Sequence, residues 1–320
     1  MNNASFSLPT HYQGWVYTGG ELPQGLKLQD IPLPQLKADE VLVQNEAIGL
    51  NPVDWKVMTP GSVPGVDAAG IVVQVGDASQ QSWLGKRVAY HQNLQAQGSF
   101  ARFTPMKSRA LMVMPDELSF EQAASFPCPG LTAWQAIEKV PTQVGSELLI
   151  SGAGGAVGQY LVQLAKARGY CITTLSHERH HARLQSLGAE VTRVNDEEVA
   201  NKRFYAVIDS TNPEHAEKLA DLLEANGHLV AIQGRVEQWP CAPFGRALSL
   251  HEVALGALHQ HGSDAQWKHL MQQGEQLLRK VADGSLQAEE RHLFSFDEMD
   301  VQLLALKHRN FSGKQVILTA

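Results

Sequence analysis

The sequence predicts an α/β protein in which a doubly wound parallel sheet is combined with a second, mostly β, barrel-like unit. Three patterns carry that prediction. An apolar run through Leu148, Leu149 and Ile150 stops at a glycine-rich turn, and a helical pattern starts directly behind it. From near Pro127 to Ile232, strand and helix patterns alternate. Before Pro127, short strand patterns are separated by Gly and Pro.

Taken in order, residues 26–107 read as strands broken by turns. Residues 40–48 alternate in part, residues 69–76 end at a Gly-Asp turn, and residues 86–90 form another short candidate. The strand at 147–151 then meets Gly152, Ala153, Gly154, Gly155, Ala156, Val157 and Gly158. The helix behind it presents Val157, Leu161, Leu164 and Ala165 on one face, and Gly169 is its expected stop. Further strands are expected at 170–175, 204–209 and 227–232, with a short helix at 180–187 closed by Gly188 and another through Leu219, Leu222 and Leu223. Strands alternating with helices of this length favour a parallel sheet with right-handed crossovers. A helical stretch near 267–281 and a last strand at 315–318 leave the alternation, so the tail is assigned to the first unit.

The strand–glycine turn–helix arrangement makes a pocket for a pyrophosphate. Small residues let the backbone approach the ligand, and the helix N-terminus offers unpaired N–H groups and the positive end of its dipole. The residue ending the second strand then selects the nucleotide, since an acid there suits NAD and a cation suits the extra phosphate of NADP. Ser176 holds that place and Arg179 follows about one turn on, which favours NADPH. Glu178 argues for NADH if the strand runs longer.

Composition bounds the alternatives. A net charge of −7 without a basic run speaks against nucleic acid. No apolar stretch reaches membrane-spanning length, and residues 1–10 do not read as a secretory leader. Cys128, Cys171 and Cys241 are odd in number and far apart, which fits neither a disulfide framework nor a structural zinc site. A soluble, cytoplasmic protein is expected.

The chain resembles the zinc-free medium-chain dehydrogenases/reductases, in the branch of quinone oxidoreductases and enone (alkenal) reductases. The resemblance runs from about Trp15 to Leu318 and rests on blocks in the family's order: residues 49–56, 64–70, 126–134, the glycine turn, and 311–316. It implies a GroES-like catalytic domain of residues 1–128 and 266–320, with a Rossmann NADP-binding domain of 129–265 inserted. Ala156 departs from the family, whose members commonly carry a further glycine there. Zinc-binding relatives have a cysteine within the block at 51–54 and a His–Glu pair where this chain has Val66 and Asp67, so no metal is expected. His177 and His181 have helical metal-binding spacing, but that stretch, with His180, reads as a solvated polar face.

The resemblance implies NADPH-dependent, metal-free hydride transfer to quinones or α,β-unsaturated carbonyls. It places Asn51, Asp54 and Lys56 beside the nicotinamide, with Asp54 holding Lys56, and Thr132 and Lys314 within reach of the cofactor. Tyr90 and His91 follow a strand expected to border the cleft, and either is a candidate proton donor; Tyr90 enters the catalytic set. A homodimer is implied through an edge strand near 247–256. The rival readings are a nucleotide-binding protein with little turnover and a secondary-alcohol dehydrogenase.

Overall fold

Strands with partial alternation build a sheet in one of two units, and continuous apolar runs build a sheet in the other. A computed structural model describes residues 8–309 and 311–319; most of the stretch read for a leader lies outside the described residues. The first unit takes in Met1–Cys128, Gly262–Ala282 and Arg291–Ala320, and the second Pro129–His261 and Asp283–Glu290.

The first unit begins with an antiparallel pair, β1 (His11–Tyr17) and β2 (Leu26–Pro32). It continues through β3 (Glu40–Gly49), α1 (Pro52–Lys56), β4 (Asp67–Val75), β5 (Arg87–His91), β6 (Phe103–Lys107), β7 (Leu111–Val113) and α2 (Phe120–Ala124). Helix α3 (Pro127–Glu138) leads on to the second unit. There the order is β8 (Glu147–Ser151), α4 (Ala156–Ala167), β9 (Cys171–Leu175), α5 (His181–Leu187), β10 (Val191–Arg193), β11 (Phe204–Asp209), α6 (Pro213–Leu219), β12 (Leu223–Ala231), β13 (Ser249–Glu252) and α7 (Ala257–His261). Helix α8 (Asp264–Ala282), β14 (Arg291–Ser295), α9 (Met299–His308) and β15 (Lys314–Leu318) return to the first unit.

That return is built into the hydrogen bonding. β15 pairs antiparallel with β3, extending a sheet of order β14-β15-β3-β4-β5-β7 with β6 also on β3. The Trp15 indole Nε1 donates to the Phe296 carbonyl at 3.0 Å. Val41, Leu42, Val43, Val316 and Ile317 are fully buried in this sheet, each such side chain contributing about 1.5–3 kcal/mol relative to exposure.

The second sheet is parallel throughout, in the order β10-β9-β8-β11-β12-β13. Leu149, Leu175, Phe204, Val207, Leu219 and Leu229 share one buried cluster beside it. Strand order reverses between β8 and β11. In open parallel sheets that reversal opens a crevice at the carboxyl ends of the two strands, where ligands bind.

Two local expectations change. Helix α6 stops at Leu219; Leu222 lies in a short 3₁₀ turn and Leu223 already opens β12, where it pairs with Phe204. A leucine spacing compatible with both periods hid that boundary. The α4 face is wider than the pattern suggested: Gln159, Tyr160 and Val162 are buried with Leu161 and Ala165, while Val157 and Leu164 are half-buried. β13 ends its sheet as an edge strand, within the segment expected at 247–256.

Candidate functional site

The glycine turn sits at the reversal. Gly152 adopts a left-handed φ of +64°, which favours glycine, and an added Cβ would stand 2.5 Å from Ser210 Oγ at the end of β11. At Gly158 a Cβ would meet the Ala153 backbone at 2.4 Å, so glycine there lets α4 start hard against the turn. Gly155 is the N-cap of α4 and brings no side-chain cap, leaving that end of the twelve-residue helix suited to an anion. The Ala153 N–H donates to the Leu175 carbonyl at 3.2 Å, and Gln159 Nε2 donates to the Gly154 carbonyl at 3.2 Å. Residues 152–158 thus form a cradle of small residues that a pyrophosphate fits.

Behind it, β9 ends at Leu175, so Ser176 is the first residue past the strand and Glu178 falls in the following turn. Ser176 donates its N–H to Arg193 O at 2.9 Å. Arg179 is exposed, its backbone N–H taken by His177 Nδ1 at 3.2 Å. At the β11 end, Asp209 bonds Ser151 Oγ and accepts the Thr211 N–H at 3.0 Å.

In the first unit the structure gathers a second group. Asn51, 2% exposed, donates Nδ2 to Asp67 Oδ2 at 2.9 Å and accepts at Oδ1 from Lys314 Nζ, itself buried. Asp54 reaches back to the Asn51 N–H at 2.7 Å and also accepts the Val66 N–H at 3.1 Å. Burial pushes Asp54 up to about 8; the nearby Asp67 charge adds to this, while the two N–H groups and the Lys314 ammonium oppose it. Asp67 accepts from the Cys128 N–H at 2.8 Å and bonds His91 Nδ1 at 2.9 Å.

The candidates named from the sequence therefore separate. Asn51, Asp54 and Lys314 come together, the last on Asn51. Asp54's oxygens serve backbone N–H groups, and the ammonium that acts on it is Lys314's, in place of the expected hold on Lys56; Lys56 is exposed, 5.6 Å from the Trp55 ring centre. Tyr90 is fully buried and its hydroxyl donates to Asn45 Oδ1 at 2.7 Å, with burial raising its pKa. That geometry supports packing, and Tyr90 is left out of the catalytic set. Thr132 lies half-buried within α3, well past its first turn.

His91, the alternative proton donor to Tyr90 in the sequence, joins the cluster, as does Cys128, for which the sequence suggests no site role. One donor atom each from Asp67, His91 and Cys128 lie within 4.8 Å of one another. Three such donors suffice in number for catalytic zinc. However, each Asp67 oxygen already has a hydrogen-bond partner, and the Lys314 ammonium stands on the adjoining Asn51. An ion there would compete with the Asp67–His91 hydrogen bond and with the neighbouring Lys314 ammonium.

The alcohol dehydrogenase GroES-like domain family matches residues 37–116. A 2-methylene-furan-3-one reductase of Solanum lycopersicum is 31% identical over 73% of this chain, and the match spans 65% of that relative, just under two thirds of its length. A chloroplast envelope quinone oxidoreductase homolog of Arabidopsis thaliana is 30% identical over 68% of this chain and 72% of its own. A solved structure titled as a putative NADPH:quinone reductase from Bacillus thuringiensis superposes with a TM-score of 0.84 over 98% of this chain and all of its own; at 21% identity this shows the fold. The chain belongs to the medium-chain dehydrogenase/reductase family, with a GroES-like domain and a parallel-sheet, Rossmann-type domain.

Proposed function

We propose that this protein is an NADPH-dependent reductase of quinones or α,β-unsaturated carbonyl compounds, working by hydride transfer without a metal. The observation that carries the proposal is the cradle at 152–158, set where strand order reverses and opening an uncapped helix N-terminus. The relatives' names, a furanone reductase and a quinone oxidoreductase homolog, support the substrate class.

NADPH supplies the hydride when bound. The chain's own work is to hold the pyrophosphate at the cradle, read the 2′-phosphate with Ser176 and Arg179, and stabilise the substrate oxygen that gains charge. In this reading the Lys314 ammonium does the last, and the Asn51 amide, whose N–H groups go to Asp67 and the Gly49 carbonyl, holds that ammonium in place. The Asn51 amide links the buried ammonium to the Asp67 carboxylate. Thr132 is read as a cofactor contact.

The test is NADPH consumption by purified protein offered a quinone, an enal and a ketone, with and without a strong chelator. Consumption with quinone or enal, indifferent to chelator, is expected. Cofactor binding without consumption, or loss of activity on chelation, contradicts the proposal. We also read the β13 edge as the pairing surface of a homodimer, since a second copy would satisfy its open ladder. Light scattering should then give twice the chain mass of 35.0 kDa, and a monomer mass would refute the pairing.

A further inference from the structure

The His180 imidazole rests on the glycine turn. A Cβ added at Gly154 would stand 2.3 Å from its Cδ2 and 2.9 Å from its Nε2, so bare backbone and ring are in contact there. The residue is half-buried in the turn that joins β9 to α5. Arg179 Nε donates to His180 Nε2 at 3.1 Å. A ring nitrogen that accepts carries no proton, so the ring is neutral here with a cation at its acceptor. Other charged or titratable groups face the same turn: Glu178, His177 on the Arg179 N–H, and His181 with Nε2 3.1 Å from Ser176 O. From α5, Arg183 reaches Gln159 Oε1 of α4 at 3.4 Å.

We propose that His180 is a second ligand of the cofactor's 2′-phosphate: the phosphate draws Arg179 off the ring, and the imidazole takes a proton from solvent to meet the same group. This rests on the NADPH reading above and goes past it, because the stretch of three histidines otherwise reads as a solvated face. A guanidinium prefers two parallel hydrogen bonds to a phosphate over one to a ring nitrogen. Once it turns away, Nε2 is left beside a dianion, and an imidazole, which titrates near neutrality, responds by protonating. Binding of a 2′-phosphorylated nucleotide then tightens as pH falls, by at most about tenfold per unit for one proton. A nucleotide without that phosphate binds without this dependence.

Calorimetry on the full chain tests this with 2′,5′-ADP and 5′-AMP, at about pH 8 and about pH 6.5, in buffers of different ionisation enthalpy so that protons are counted directly. The unsubstituted protein should take up part of a proton with 2′,5′-ADP and none with 5′-AMP, its affinity for the former rising about five- to tenfold at the lower pH. His180→Gln, which cannot titrate, should abolish the uptake and flatten that rise while leaving 5′-AMP binding and the melting temperature unchanged. Arg179→Ala should weaken 2′,5′-ADP at both pH values. If His180→Gln keeps the uptake and the pH dependence, the proposal falls and the NADPH reading stands. If the unsubstituted protein binds 2′,5′-ADP no better than 5′-AMP, both fall together.

Discussion

Asn51 has its amide orientation dictated from both ends: the oxygen faces the Lys314 ammonium and the nitrogen faces the Asp67 carboxylate. A buried ammonium is costly unless it is hydrogen-bonded, and here the Asn51 oxygen accepts from it while the Asn51 nitrogen carries the link on to the Asp67 carboxylate. An ammonium held this way by a fixed amide oxygen meets a developing negative charge without reorganising, which is where electrostatic stabilisation is most effective. Lys314→Met keeps the length of the side chain and removes its charge. Turnover of an enal should fall about 10²–10³-fold, the loss typical of deleting one donor to a developing oxyanion, while cofactor affinity measured by fluorescence titration stays close to that of the unsubstituted protein. Undiminished turnover would place the ammonium outside the reaction.

At the scale of elements, the end of β11 is bolted to the start of α6 by a histidine between two carboxylates. His215 Nδ1 lies 2.6 Å from Asp209 and Nε2 3.0 Å from Asp196. A neutral ring has one N–H to give, so both contacts are satisfied together only by the imidazolium. The pKa is raised above 6.5, first by the Asp209 hydrogen bond, against burial that lowers it, and then by Asp196. Asp209 is held low because the His215 and Ser151 hydrogen bonds outweigh the burial that would raise it. The histidine's stabilisation is complete below pH 6.5 and is lost as pH rises through its raised value; that of Asp209 is lost as pH falls through its lowered one. Between about pH 6 and about pH 9 the melting temperature should drop about 2–4 °C more in the unsubstituted protein than in His215→Gln. Equal slopes would show that the ring carries no charge.

The same elements show what the sequence made legible. The glycine turn, the alternation of strands and helices and the final strand were readable because glycine placement and hydrophobic period are local signals. The α6–β12 boundary was not, because Leu219, Leu222 and Leu223 suit either period until Leu223 is seen pairing with Phe204. The partnership of Asn51 with Lys314 spans 263 positions, and that of Asp67 with the Cys128 N–H spans 61. Side-chain chemistry at such separations leaves no periodic trace. For Tyr90 the strand was legible, but the partner that takes its hydroxyl, Asn45, was not.

At the scale of the molecule, one chain leaves its first unit, builds a six-stranded parallel sheet, and comes back to complete the sheet it left. Among the described residues no helix is long and apolar enough to cross a membrane. Family membership accounts for this architecture, while the use made of it depends on whether the cradle at 152–158 holds a reduced nicotinamide nucleotide. Titrating the full chain with NADPH and with NADH in a calorimeter decides that most directly. One site per chain, with NADPH bound at least about tenfold tighter, is predicted from the charge-assisted hydrogen bonds an extra phosphate adds. No heat of binding with either nucleotide would contradict the account.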